Sequence, residues 1–142
     1  MTNDPHNLKR FVDAQQPVYE QVCDELRAGS KRSHWMWFIF PQMKGLGHSG
    51  MADYYGIASR PEAEAYLAHP VLGARLIECT RLVNQVEGRS INQILGYPDD
   101  LKFRSSMTLF ASAASGNQIF EEALQKYFDG KPDPLTLKLL GS

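Results

Sequence analysis

The sequence is divided, over most of its 142 residues, into short segments with helical apolar spacing, separated by residues that start or stop a helix. In residues 71–87, apolar side chains recur at intervals of four and three and so form one stripe along a helix. Ser59 and Glu62 have the identities and spacing of a capping box, which predicts a helix start at residues 60–68. The same signals predict further helices over residues 17–28, 98–115 and 118–129. We therefore predict an all-α fold, a compact single-domain bundle of about six to eight short helices that covers residues 1–142.

Residues 34–40, His-Trp-Met-Trp-Phe-Ile-Phe, do not follow this pattern, because the run is apolar on both of its faces. Periodicity cannot distinguish a strand from a buried helix in such a run. A strand also needs a neighbouring strand for its backbone hydrogen bonds, and the sequence contains only one run of this kind. We predict a buried helical turn or an extended core segment whose aromatic rings pack against the stripe of residues 71–87. A mixed fold with a small two-stranded element is the alternative.

Composition and charge exclude several classes of function. Hydrophobic residues make up 43% of the chain and charged residues 22%, as in ordinary globular domains. The net charge of −1 argues against a dedicated nucleic-acid surface, because binding phosphates requires clustered positive charge. No apolar run approaches the roughly 20 residues that span a bilayer, and residues 1–10 lack the apolar stretch of a signal peptide. We therefore expect a cytoplasmic protein with neither nucleic acid nor membrane as its partner.

The cysteines and histidines indicate no metal site. Cys23 and Cys79 lie beside apolar residues in helical segments, and we expect both to be reduced thiols in the core. The four histidines are far apart in the sequence, and no CxxC motif is present. The sequence therefore predicts neither a metal nor a cofactor.

Residues 33–42, Ser-His-Trp-Met-Trp-Phe-Ile-Phe-Pro-Gln, are followed by Gly45-Leu46-Gly47 in an unusual combination. Together with residues 69–76 and 102–110, this combination resembles a bacterial family of unknown function whose members are often labelled calpastatin. The resemblance spans nearly the whole chain and implies a mainly helical single domain of this length, but no activity. The label does not suit the composition, because calpain inhibitors of that name are disordered, whereas 11% of the residues here are aromatic.

The loop of residues 45–50 is the first place where polar residues interrupt the apolar pattern. It matches the pattern GxGxxG, but no strand-helix-strand unit surrounds it, and the match therefore does not indicate a dinucleotide-binding fold. Its glycine amides can still converge on an anion, with Lys44 and His48 adding positive charge. An ordinary loop is the alternative.

The second interruption is the Lys-Phe-Arg-Ser-Ser run of residues 102–106, where Lys102 and Ser106 lie one helical turn apart. It can form either an anion-binding face or a solvated one. We call residues 34–40 the aromatic block. It supplies His34, Trp35 and Trp37, whose rings can line a pocket or fill the core.

We predict that these residues form one ligand site, composed of His34, Trp35, Trp37, Lys44, His48, Lys102 and Ser106. Two positive side chains can hold a phosphate or carboxylate, and an indole face can stack a base or a sugar. The protein would then bind, or act on, an anionic ring-bearing small molecule such as a nucleotide or a sugar phosphate. The alternative is a helical protein–protein interaction module with no catalytic activity. Convergence of the polar residues on one concave pocket favours the small molecule, and an exposed apolar patch favours the module.

Overall fold

Ten α-helices account for most of residues 4–114 and 116–141, the part of the chain that the structure, a computed structural model, describes. In chain order they are α1 Lys9–Gln15, α2 Tyr19–Arg27, α3 Met36–Ile39, α4 Gly50–Tyr54, α5 Arg60–Ala68, α6 Leu72–Gln85, α7 Ile91–Leu95, α8 Asp99–Ala113, α9 Ile119–Phe128 and α10 Pro134–Leu139. The all-α class is confirmed.

The predicted number of six to eight helices is wrong, because two short helices carry little sequence signal. The first is α3, which lies in the aromatic block. The second is α4, which lies at the end of the glycine-rich loop. A four- or five-residue helix is too short to show apolar periodicity. Ser49 nevertheless caps α4, since its side chain accepts a hydrogen bond from the amide of Ala52.

The core is one hydrophobic cluster to which most of the helices contribute. Helix α6 packs against α2, α5 and α9, while α8 packs against α5, α7, α9 and α10. Helices α5 and α6 approach each other closely at Gly73, in the first turn of α6. A Cβ atom at this position would lie 2.1 Å from the carbonyl oxygen of Leu67, so only glycine fits the crossing without a backbone shift.

The aromatic block forms a buried helical turn, one of the two conformations expected for it. The Phe40 ring lies edge-to-face with Phe103 of α8 at 5.0 Å between centroids, and Phe38 lies 5.4 Å from the Tyr55 ring. The block therefore fixes the loop after α3 against α8, whereas the sequence indicated the stripe on α6.

A single β-bridge is the nearest approach to the two-stranded alternative among the described residues. It joins Met43 and Ile57 in parallel. The amide of Ile57 donates to the Gln42 carbonyl at 2.9 Å, and the amide of Lys44 donates to the Ile57 carbonyl at 2.8 Å. The bridge closes residues 43–57 into a loop and holds Gln42 beside α8.

Candidate functional site

A surface groove of about 410 Å³ runs along the first turns of α8, and we call it the α8 groove. Its walls come from the loop after α3, from α8 itself and from the start of α10. The lining residues are Gln42, Leu46, Gly47, Pro98, Leu101, Lys102, Arg104, Ser105, Asp133 and Leu135. The volume falls in the range of about 300–1,000 Å³ that is typical of small-molecule sites.

A much smaller inner cavity, of about 10 Å³, shares two residues with the groove, Gln42 and Lys102. Its other lining residues are mostly aromatic or small: Met36, Trp37, Phe40, Ala52, Tyr55 and Gly56. A space of this size accommodates about one water molecule. A ligand larger than that does not fit in the inner cavity, whereas the α8 groove has room for it.

Lys102 is the charged side chain that lines both spaces. Its Nζ lies 5.0 Å from the centroid of the Trp37 ring, in a cation–π arrangement. The same Nζ lies 3.6 Å from Oδ1 of Asp99, three residues earlier on the helix. The Lys102 side chain is 26% exposed and lines the groove.

Asp99 is shared between two lysines. Its Oδ2 lies 2.9 Å from Nζ of Lys31, whose side chain is only 7% exposed. The Lys31 ammonium also donates to the Ser33 carbonyl and lies 5.0 Å from the Trp35 ring centroid. Two ammonium groups around one carboxylate leave a net positive charge. Because only Lys102 of this pair lines the groove, the positive charge that Asp99 does not neutralise is presented there, beside the opposite charges of Arg104 and Asp133.

Other polar groups of the groove form hydrogen bonds that hold its wall together. The Arg104 guanidinium donates to the carbonyl oxygens of Lys131 and Pro132 at 3.0 and 2.8 Å. Oδ2 of Asp133 accepts from the Ser105 hydroxyl at 3.0 Å and also caps α10. These contacts fasten α10 and the segment before it to α8.

The rim of the groove is apolar and exposed. Leu101 is 50% exposed on α8, and Leu135 is 60% exposed on α10. Tyr97 and Leu139, close to them in sequence, are exposed as well. Four of the six exposed large apolar side chains in the described part of the chain therefore belong to these two regions, 97–101 and 135–139.

Among the seven predicted site residues, the structure brings Trp37 and Lys102 together. Trp35 points elsewhere: it is 1% exposed, and its Nε1 donates to Oε1 of Glu25 at 3.0 Å. The two tryptophans of the block therefore serve different purposes. Trp35 packs in the core, and Trp37 supports the groove lysine.

Glu25 anchors the loop that carries Trp35. Its carboxylate accepts the amides of Arg32 and Ser33 and the Ser33 hydroxyl, at 2.7, 3.0 and 2.6 Å. Burial raises the pKa of Glu25, but these hydrogen bonds, with one from Gln21, outweigh burial and lower the pKa to about 2. Glu25 is therefore a charged structural residue, and it does not line the groove.

The other four predicted residues line neither the groove nor the inner cavity. His34, Lys44 and His48 are exposed, and Nζ of Lys44 lies 3.8 Å from Oδ1 of Asp53. Ser106 is fully buried, and its hydroxyl has no hydrogen-bond partner among the residues that the structure describes.

Sequence reasoning missed Gln42, Leu101 and Leu135 as groove residues. Leu101 carried a usable signal, because it is an apolar residue on the face of α8 opposite Phe103, which points to the core. Leu135 carried none, since the six residues of α10 are too few to define a buried face. Gln42 is placed by the bridge between Met43 and Ile57, a contact that only the folded chain reveals.

Two further features are absent from residues 4–114 and 116–141. That part of the chain contains no group of three or more His, Cys, Asp or Glu side chains placed to hold a metal ion. None of its helices combines the length and the apolar character needed to cross a membrane.

Comparison with known proteins gives a family and a close structural relative. The model of a family described as "Protein of unknown function (DUF1810)" matches residues 5–140. The chain is also similar to the crystal structure of a conserved hypothetical protein from Mycobacterium tuberculosis, with 61% sequence identity and a TM-score of 0.96. That match covers 98% of this chain and 99% of the relative. No protein with curated annotation matches.

Proposed function

The chain belongs to the DUF1810 family of proteins of unknown function, and we propose that the α8 groove binds an anionic ring-bearing small molecule, such as a nucleotide or a sugar phosphate. The observation that carries this proposal is the position of Lys102. Its ammonium group lines a groove of ligand size, and its only carboxylate partner among the described residues is shared with Lys31.

The anionic group of the ligand would bind to Lys102 and Gln42. An ammonium group supplies donors and positive charge, and the Gln42 side-chain amide supplies a further N–H donor beside it. Charge-assisted hydrogen bonds of this kind are the stronger ones in proteins. The Trp37 ring beneath the ammonium reduces its freedom before a ligand arrives.

The ring of the ligand would lie on the apolar wall of the groove. Leu46, Pro98, Leu101 and Leu135 provide that wall. A groove with mostly apolar walls and a few convergent polar groups is the usual architecture of a small-molecule site. This arrangement differs from the stacking on Trp35 and Trp37 that the sequence indicated, because Trp35 is buried and Trp37 lines only the inner cavity.

The exposed leucines of the rim favour a second candidate, a protein–protein interaction module. Leu101 and Leu135 would then be contact residues for a protein partner, since exposed apolar patches often mark such surfaces. The two candidates differ in their dependence on Lys102. Small-molecule binding requires its charge, whereas an apolar contact survives its replacement by a neutral residue.

A thermal-shift panel tests the proposal with three probes: inorganic phosphate, adenosine monophosphate and glucose 6-phosphate. A ligand at 100 times its dissociation constant adds about 2.7 kcal/mol to the free energy of unfolding, which is readily measured as a higher melting temperature. We expect a shift with at least one ring-bearing probe in the parent, a much smaller one in Lys102→Gln, and the parental shift in Lys44→Gln. Lys44 is the matched control, because it is an exposed lysine outside the groove. The absence of a shift with every probe would favour the interaction module.

A further inference from the structure

Asp133 is the acidic side chain that lines the α8 groove, and its two carboxylate oxygens have different surroundings. Oδ2 accepts hydrogen bonds from the Ser105 hydroxyl at 3.0 Å, from the Thr136 hydroxyl at 2.5 Å and from the Thr136 amide at 3.2 Å. None of the residues that the structure describes donates a hydrogen bond to Oδ1. The groove therefore contains a charged acceptor that the fold itself does not use.

The position of this acceptor is fixed by contacts with α8 and α10. The backbone amide of Asp133 donates to the Thr108 hydroxyl at 2.8 Å, and both Thr108 and Thr136 are buried. The Arg104 guanidinium holds the carbonyl groups of the two residues before Asp133. Because the backbone and Oδ2 are both held, Oδ1 is in place before a ligand arrives, and little side-chain freedom is lost on binding.

Arg104 supplies donors to the same wall of the groove. Its guanidinium donates to the carbonyl oxygens of Lys131 and Pro132, and within the described part of the chain it forms no ion pair with Asp133 or with any other carboxylate. A guanidinium group carries more N–H donors than these two contacts use. A hydroxyl group both donates and accepts hydrogen bonds, so a wall that offers an acceptor and donors suits a ring with several hydroxyl groups.

This wall lies next to the anion site. Lys102 and Ser105 are three residues apart on α8 and are therefore neighbours on one face, with about 5–6 Å between their Cβ atoms. The Ser105 hydroxyl is bonded to the Asp133 carboxylate. A ligand whose anionic group binds to Lys102 thus has the Asp133 carboxylate within reach of the ring that follows.

We propose that Asp133 is a specificity-determining residue that selects a hydroxylated ring, so that the ligand of the α8 groove is a phosphorylated sugar or a ribonucleotide and not an anion whose ring lacks hydroxyl groups. The inference rests on the proposed function, because it requires an anionic group on Lys102. A ring hydroxyl donates to Oδ1 of Asp133. A site built to bind a hydroxyl group rejects the analogue without it, because the buried polar group then stays unpaired.

The test is isothermal titration of the full-length protein with two matched pairs of monophosphates. The first pair is adenosine monophosphate and its 2′,3′-dideoxy analogue. The second is glucose 6-phosphate and (tetrahydropyran-2-yl)methyl phosphate, which keeps the ring and the phosphate but has no hydroxyl group. We expect the hydroxylated member of one pair to bind roughly 10- to 100-fold more tightly, as for a hydrogen bond to a charged group. The pair that shows this preference identifies the ring as a ribose or a hexose.

Asp133→Ser should abolish the preference, because serine still caps α10 but presents no charged acceptor to the groove. Asp133→Asn, which also keeps a capping oxygen, repeats the test if the serine variant fails to fold. Asp13→Ser is the matched control and should retain the parental preference, since Asp13 is an exposed aspartate on α1 that does not line the groove.

Three results would overturn the inference. If the parent binds both members of each pair equally and Lys102→Gln weakens them all, the anion site stands and only the role of Asp133 is wrong. A preference that persists in both Asp133 variants also overturns that role. If the parent binds none of the four probes, the inference fails together with the proposed function.

Discussion

The ammonium group of Lys102 lies 5.0 Å from the centroid of the Trp37 ring, so that a charge on α8 is held in place by an aromatic side chain on α3. This contact joins the aromatic run of residues 34–40 to the Lys-Phe-Arg-Ser-Ser run of residues 102–106. The other tryptophan of the block, Trp35, has different partners: its ring contacts Lys31, and its indole N–H donates to Glu25.

The two tryptophans should respond differently to truncation. Trp35→Ala removes a fully buried ring and leaves the Glu25 carboxylate without one of its donors, and we expect a loss of about 3–5 kcal/mol in the free energy of unfolding. Trp37→Ala should cost clearly less, because its ring is only partly buried and its cation–π contact contributes about 0.5–2 kcal/mol. Urea unfolding followed by circular dichroism measures both. An equal or larger loss for Trp37→Ala would contradict the assignment of Trp35 to the core and of Trp37 to the support of Lys102.

Glu25 should make stability depend on pH. Its pKa in the folded protein is about 2, against an ordinary value of 4.5, so the unfolded chain binds a proton more readily than the folded one. The carboxylate therefore stabilises the fold fully above about pH 4.5, and this contribution is lost as the pH falls towards 2.

Glu25→Gln, which cannot ionise, should lower the free energy of unfolding by about 2–3 kcal/mol at neutral pH. The difference in free energy of unfolding between this variant and the parent should become smaller as the pH falls from 4.5 to 2, as measured by urea unfolding at a series of pH values. Glu64→Gln is the control, because Glu64 is an exposed residue on α5. A deficit that stays constant down to low pH would contradict the assigned role of the charge.

The helix segments could be predicted from the sequence, since their signals are local. Ser59 caps α5 as expected, and the stripe of residues 71–87 becomes α6, with its ends shifted by one or two residues. The site was only partly predictable. Lys102 stood out as a polar break in an apolar run, and its partner Asp99 lies one turn earlier on the same helix. The lysine on the other side of that carboxylate, Lys31, is distant in sequence and is brought there only by the fold.

Ser106 illustrates why polarity in a sequence is a weak guide to a site. A buried hydroxyl without a partner costs about 1–3 kcal/mol, and Ser106→Ala should therefore leave the free energy of unfolding unchanged or raise it by about 1 kcal/mol. Ser105→Ala, on the same helix, should lower it by about 1 kcal/mol, because its hydroxyl bonds to Asp133. Thermal melts of the parent and the two variants measure both changes. A marked loss in Ser106→Ala would mean that this hydroxyl has a partner after all.

Gly73→Ala should damage the fold although it adds only a methyl group. The new Cβ would lie 2.1 Å from the Leu67 carbonyl oxygen, and because that atom is backbone, α5 and α6 must move apart. Overpacking of this kind costs at least about 1–3 kcal/mol, measurable by urea unfolding. Gly50→Ala is the control: no atom lies within 4 Å of the added methyl group, and the residue is the first of α4. Equal stability of the two variants would contradict the observed crossing of α5 and α6.

Binding in the α8 groove is tested most directly by titrating the parent and Lys102→Gln with adenosine monophosphate while recording backbone amide NMR spectra. We expect saturable shifts of the amides of Gln42, Leu101 and Leu135 in the parent. Affinity should fall by roughly 10- to 100-fold in Lys102→Gln, the equivalent of a charge-assisted hydrogen bond of about 1.5–3 kcal/mol. Lys44→Gln should bind as the parent does. Shifts confined to the region of Lys44 and His48, or shifts that persist unchanged in Lys102→Gln, would contradict the assignment of the groove as the anion site.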